Sequence, residues 1–157
     1  MSTSSANILF VHNLNILNKA MKWDFTPEDV RCGKADYSVS EFKEDLLKEI
    51  HANLEALQGD EQTRKFFSFL TIMLCTTLAF GKSIDSFVTS VKKYFPSKEL
   101  QKFLTDDRKL LEQIKDSNKE NIEMLRAVIQ RRMEDDVDKG VSKDNIVKTI
   151  TTELLGF

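Results

Sequence analysis

Turn formers are the scarcest residues of this chain: five glycines and two prolines in 157 positions. So few of them argue against a fold of many short strands and in favour of long helices. The five glycines stand singly, so no glycine-rich loop is present to cradle a phosphate. Two cysteines, Cys32 and Cys75, make no disulfide framework, and a reducing intracellular compartment is the expected setting. Histidine is equally sparse, with only His12 and His51. There is no CxxC, no HExxH and no EF-hand loop, and neither histidine has a glutamate three positions before it. Those absences speak against the usual metal sites, including the di-metal sites of helical bundles. The expectation is no catalytic residue, no metal, no cofactor and no enzymatic activity. An excess of one charge is lacking too: 23 Lys and Arg stand against 25 Asp and Glu, for a net charge of −2. That balance weighs against a surface built throughout for nucleic acid.

Targeting signals are also missing from the reading. The segment MSTSSANILFVHNLNILNKAMKW has no basic leader and no small-residue cleavage site, and Ser2 stands where myristoylation needs glycine. A cytoplasmic location is expected.

Of long hydrophobic runs there is one, KFFSFLTIMLCTTLAFGK, from Lys65 to Lys82. The residues between the two lysines make roughly 24 Å of helix, whereas a hydrocarbon core of roughly 30 Å wants about 20 residues. A helix apolar on nearly every side yet too short to span reads as a buried core helix, about 61–81, with no transmembrane segment in the chain. Ser68, Thr71, Cys75 and Ala79 form a ridge of small side chains, and Phe66, Phe69, Met73 and Phe80 a ridge of large ones. The small ridge allows a close neighbour, and the large one fills space against others.

What surrounds this run is helical in period. Phe10, Leu14, Leu17 and Met21 share one face of a first helix, Ala6 to Trp23. Thr26-Pro27-Glu28-Asp29 reads as the start of a short second helix that Gly33 ends. Ser38 and Glu41 have capping-box spacing, with Ser40 a competing cap. The stripe that follows is Val39, Phe42, Leu46, Ile50, Leu54 and Leu57, and Gly59 stops it. Ser83 caps a helix carrying Ile84, Phe87, Val88, Val91 and Phe95, which Pro96 closes. Ser97 begins a short helix through Leu100, Phe103 and Leu104. Leu111, Ile114, Asn118, Ile122, Leu125, Ile129 and Met133 then mark a long amphipathic helix, about 107–135, with Asn118 as an interruption. Its mean step, close to 3.67, is that of an ordinary straight helix rather than a left-handed coiled coil. Ser142 caps a last helix, about 143–155, with Ile146, Ile150 and Leu154 inward. The expected architecture is all-α: a single domain, 1–157, of six to eight helices around one apolar central helix.

Two groups of residues are candidates for function. Trp23 and Phe25, at a helix end, together with Leu125 and Ile129 on the long helix, form the candidate partner-binding set. Lys92, Lys93, Arg126, Arg131 and Arg132 are the alternative, a nucleic-acid face, and predict salt-dependent binding. Lys98 and Lys102, on one side of the short helix, could extend that face. Neither histidine, nor Cys32 beside Arg31 and Lys34, makes a convincing nucleophile or base.

The leading expectation is a protein–protein interaction module. It would self-associate as a homo-oligomer or dock a partner's amphipathic helix in an apolar groove. Bundles around an apolar central helix include the Bcl-2-like proteins, compact viral ones among them. The resemblance is one of architecture alone, because no NWGR-like segment occurs. An RNA-binding or nucleocapsid-associated helical protein, and a carrier of a small apolar ligand, are the alternatives.

Overall fold

The computed structural model describes residues 22–53, 61–94, 112, 115, 116 and 118–156, with the side chains of 50, 51, 53 and 61–68 outside that set. Among the described residues there are six α-helices and no strand. They are α1 (Pro27–Arg31), α2 (Val39–Asn53), α3 (Glu61–Ala79), α4 (Ile84–Tyr94), α5 (Lys119–Asp138) and α6 (Lys143–Leu155). Of the helix expected from Ala6 to Trp23, residues 6–21 lie outside the described residues and Lys22 and Trp23 are not helical. The short helix after Ser97, the stops at Gly59 and Pro96, and both histidine side chains also lie outside the described residues.

The helix starts follow from capping chemistry. Thr26 Oγ1 accepts the Asp29 amide at 3.2 Å while Asp29 Oδ2 accepts the Thr26 amide at 3.0 Å. This reciprocal pair satisfies two amides that the helix itself cannot. Accepting the Thr26 amide favours the ionised carboxylate, so the Asp29 pKa lies below its ordinary value. At the start of α2 the cap is Ser38, whose Oγ accepts the Glu41 amide at 3.1 Å, and Ser40 lies within the first turn. Ser142 accepts the Asn145 amide at 3.3 Å to open α6.

Gly81 ends the apolar run by turning into the left-handed region, with φ +80. Its amide donates to Leu78 O at 3.0 Å and that of Lys82 to Thr77 O at 3.2 Å. Such paired bonds close a helix end around a residue that only glycine occupies without strain.

From Leu70 to Ala79 every side chain of α3 is buried except Thr77, as an all-round apolar sequence requires. This helix packs on α2, α4, α5 and α6. Its small ridge is buried at Thr71, Cys75 and Ala79, and the Cys75 thiol reaches Asn118 Oδ1 at 3.7 Å. Where the sequence reads one continuous helix over about 107–135, α5 begins at Lys119, after a turn at the fully buried Asn118. The amide oxygen of Asn118 points to Cys75 on α3 and makes no capping bond to its own first turn. Phe42, Leu46, Met73, Met124, Leu125, Ile146, Ile150 and Leu154 fill the core between these helices. Each contributes roughly 1.5–3 kcal/mol by leaving water.

Candidate functional site

The structure places the candidate partner residues in two different settings, neither a free apolar surface. Leu125 and Ile129 are 0% and 3% exposed. The apolar stripe of α5 is turned into the chain's own core, because α1, α2, α3 and α6 all pack on that helix. Leu125 and Ile129 therefore present no surface to a partner of the folded chain, a correction to the sequence reading. A stripe at helical spacing is the same whether the neighbour is the chain itself or another molecule, so spacing could not separate the two.

Trp23 and Phe25 are half-buried and packed against the core. The indole stacks on Phe42, with centroids 6.3 Å apart at 17°. Phe25 meets Tyr37 edge-on at 5.0 Å. Trp23 Nε1 donates to the Tyr37 hydroxyl at 3.0 Å, and that hydroxyl donates in turn to Asp45. Burial raises the Tyr37 pKa well above the ordinary phenol value, and the bond to the Asp45 carboxylate raises it further. The cluster Trp23–Tyr37–Asp45 pins the segment before α1 onto α2. Sequence reasoning did not single out Tyr37 or Asp45; the one available signal was an aromatic next to a helix cap.

The candidate nucleic-acid cations divide similarly. Arg126 donates to Glu123 at 2.9 Å and to Leu78 O, at the end of α3, at 3.0 Å. Arg131 pairs with Asp135 at 3.5 Å, and its guanidinium lies 3.1 Å from where a Cβ on Gly33 would stand. Arg132 pairs with Asp136 at 2.7 Å and reaches Glu153 on α6 at 3.3 Å. Its pKa is raised, first by the bond to Asp136. Lys93 sits 5.3 Å from the centre of the Tyr94 ring and shares the last turn of α4 with Lys92. Arg126 and Arg132 thus tie α5 to α3 and α6, and all three arginines carry a carboxylate of their own helix beside them. Arg31, which the sequence did not single out, belongs with them: it bonds Gln130 at 2.8 Å and lies 3.6 Å from Glu123, fastening α1 to α5.

Of the cysteines, Cys75 is fully buried and desolvation pushes its thiol up to about 12; a nucleophilic thiolate needs the opposite environment. Cys32 is exposed, with its Sγ 3.6 Å from Asp29 O. Among the described residues no three His, Cys, Asp or Glu side chains are grouped to share a metal ion. Among them, too, no helix is long and apolar enough to cross a membrane.

One open groove combines size with an apolar lining. It lies between the end of α3, the face of α4 and the end of α6, with a volume of about 650 Å³. Met73 and Phe80 from the large ridge of α3 line it together with Leu155 and Tyr94. Hydroxyls come from all three helices, among them Thr77, Thr89 and Thr151, and Lys82 and Asp85 bring one charge of each sign. Tyr94 is 43% exposed, the most exposed large apolar side chain among the described residues. Thr89 Oγ1 donates back to Asp85 O at 2.9 Å, which leaves its methyl as the group free to meet an occupant. The volume falls within the range of about 300–1,000 Å³ typical of ligand pockets. Such a mixed lining suits a segment with two or three apolar side chains and a polar flank. Comparison with protein-family models, with curated proteins and with solved structures finds no match to this chain.

Proposed function

We propose that this chain is a non-enzymatic protein-interaction module that receives an amphipathic helix of a partner in the groove between α3, α4 and α6. The observation that carries the reading is the lining of that groove: Phe80, Tyr94 and Leu155 around a space open to solvent, with the buried Met73 at its floor. The polar groups of Thr77, Ser90 and Lys82 on its walls favour a peptide over a lipid chain, because an apolar ligand leaves such groups without exchange partners. The nucleic-acid alternative has less support, since Arg126, Arg131 and Arg132 are each paired with a carboxylate. Self-association through Leu125 and Ile129 would require the core to open.

The test is fluorescence polarisation against a panel of labelled amphipathic helical peptides, death-motif helices included, with Thr89→Arg as the blocking variant. Thr89 is exposed, so the substitution fills the groove without touching the core. The expected result is a peptide that binds the parent chain and loses at least about tenfold affinity, or about 1.4 kcal/mol, with Thr89→Arg at unchanged thermal stability. A panel with no binder, or a binder indifferent to Thr89→Arg, overturns the reading. Light scattering at two concentrations separates a monomer that docks a partner from a homo-oligomer, and bound lipid in native mass spectrometry would favour the carrier alternative.

A further inference from the structure

A second cavity lies on another side of α3, where that helix ends and α5 begins. It has a volume of about 440 Å³, and its charged lining is Lys82, Lys115, Lys119 and Arg126 against Asp116 and Glu123. The carboxylate of Glu123 is already engaged by Arg126 at 2.9 Å and lies 3.6 Å from Arg31. No ion pair among the described residues involves Lys82, Lys115 or Lys119. Three lysines from two separate stretches of chain thus line one cavity, with Glu123 taken up by Arg126 and Asp116 alone left to balance them. Lys119 is also the first residue of the 20-residue α5, where a cation opposes the positive end of the helix dipole. Asn118 places no side-chain cap on that first turn, its oxygen being turned to Cys75. Convergent like charge at such a position is unfavourable in the free chain and is relieved by an anion.

We infer that this cavity binds a compact phosphate-bearing anion, through Lys82, Lys115 and Lys119. Small size is part of the inference. The space suits one or two phosphate groups, and a long polyanion would meet Glu112, Asp116 and Glu120, all exposed on the same stretch. Arg126 contributes by neutralising Glu123 and by closing the end of α3 through Leu78 O.

Pyrophosphate, added to the full chain in isothermal titration at low and at physiological salt, is the first probe. Lys115→Gln/Lys119→Gln is the test variant, and Lys148→Gln, at an exposed position of α6, is the control. Saturable binding is expected in the parent and in the control, with a loss of at least about tenfold in the double variant. Thermal unfolding of the double variant should be unchanged or later, because repulsion is relieved, and this separates lost binding from lost fold. Vesicles of phosphatidylcholine with a phosphoinositide form the second arm. Tighter binding to them than to pyrophosphate identifies a lipid headgroup as the source of the phosphate, and weaker binding a soluble compound. No saturation by pyrophosphate up to about 10 mM, or equal binding by the double variant, overturns the inference.

Discussion

The Tyr37 hydroxyl receives a bond from Trp23 and gives one to Asp45, so its proton is held by burial and by a neighbouring carboxylate together. The pKa of that phenol is raised in the folded chain, and an unfolded tyrosine ionises near 10. The stability it contributes is therefore fully present below about pH 10 and lost as pH rises through the folded value. An alkaline titration followed by the tyrosinate absorbance should show a late phase that Tyr37→Phe removes. At neutral pH the same substitution should cost about 1–2 kcal/mol by leaving Asp45 and Trp23 without their shared partner, measured by denaturant unfolding. Leu125 offers a second test at this scale. Fully buried against its own helices, it should lose about 2–5 kcal/mol of stability on change to alanine. Unchanged stability would mean that the stripe of α5 faces outward after all.

Helices are positioned here by what their ends do. Gly33 and Gly81 share a positive φ of +80, yet a Cβ on Gly81 meets nothing within 4 Å while one on Gly33 meets the Arg131 guanidinium at 3.1 Å. Gly81→Ala should thus cost only the left-handed backbone penalty, about 1–2 kcal/mol. Gly33→Ala should cost more, by displacing Arg131 from the α1–α5 contact, and Arg131→Ala should recover the difference in a double-mutant cycle. Helix α6 is joined to its neighbours by Arg132 bonding Glu153 and by Lys43 Nζ donating to Glu153 O at 2.9 Å. Partly exposed ion pairs are weak, so Arg132→Ala should cost only about 1 kcal/mol, less at high salt, in a thermal melt. At this scale much was legible. The caps at Thr26, Ser38 and Ser142 were all readable, because each depends on residues adjacent in the chain, whereas the turn at Asn118 was not.

For the whole molecule, the charges are nearly balanced in number, and among the described residues two ion pairs, Arg31–Glu123 and Arg132–Glu153, join different helices. The groove is therefore the feature with most to offer a protein partner. Occupancy of the groove should raise stability by mass action, about 2.7 kcal/mol at a peptide concentration one hundred times Kd. A melt with saturating peptide checks this, and the gain should vanish in Thr89→Arg. The anion cavity predicts a further gain with pyrophosphate, short of additive with that of the peptide because Lys82 lines both sites.

The sequence by itself determined the helical class and the burial of the run around Cys75. Periodicity and side-chain volume act locally, and an all-round apolar helix too short to span a bilayer has to be covered by its own chain. Which stripes faced the core and which faced a partner was decided only in three dimensions. Leu125 and Ile129 became interior because four helices close over α5, and Arg126 and Arg132 became clasps because Leu78 O and Glu153 came within reach. The groove and the lysine cavity arise where helices that are distant in sequence end beside one another, and no spacing along the chain encodes that meeting.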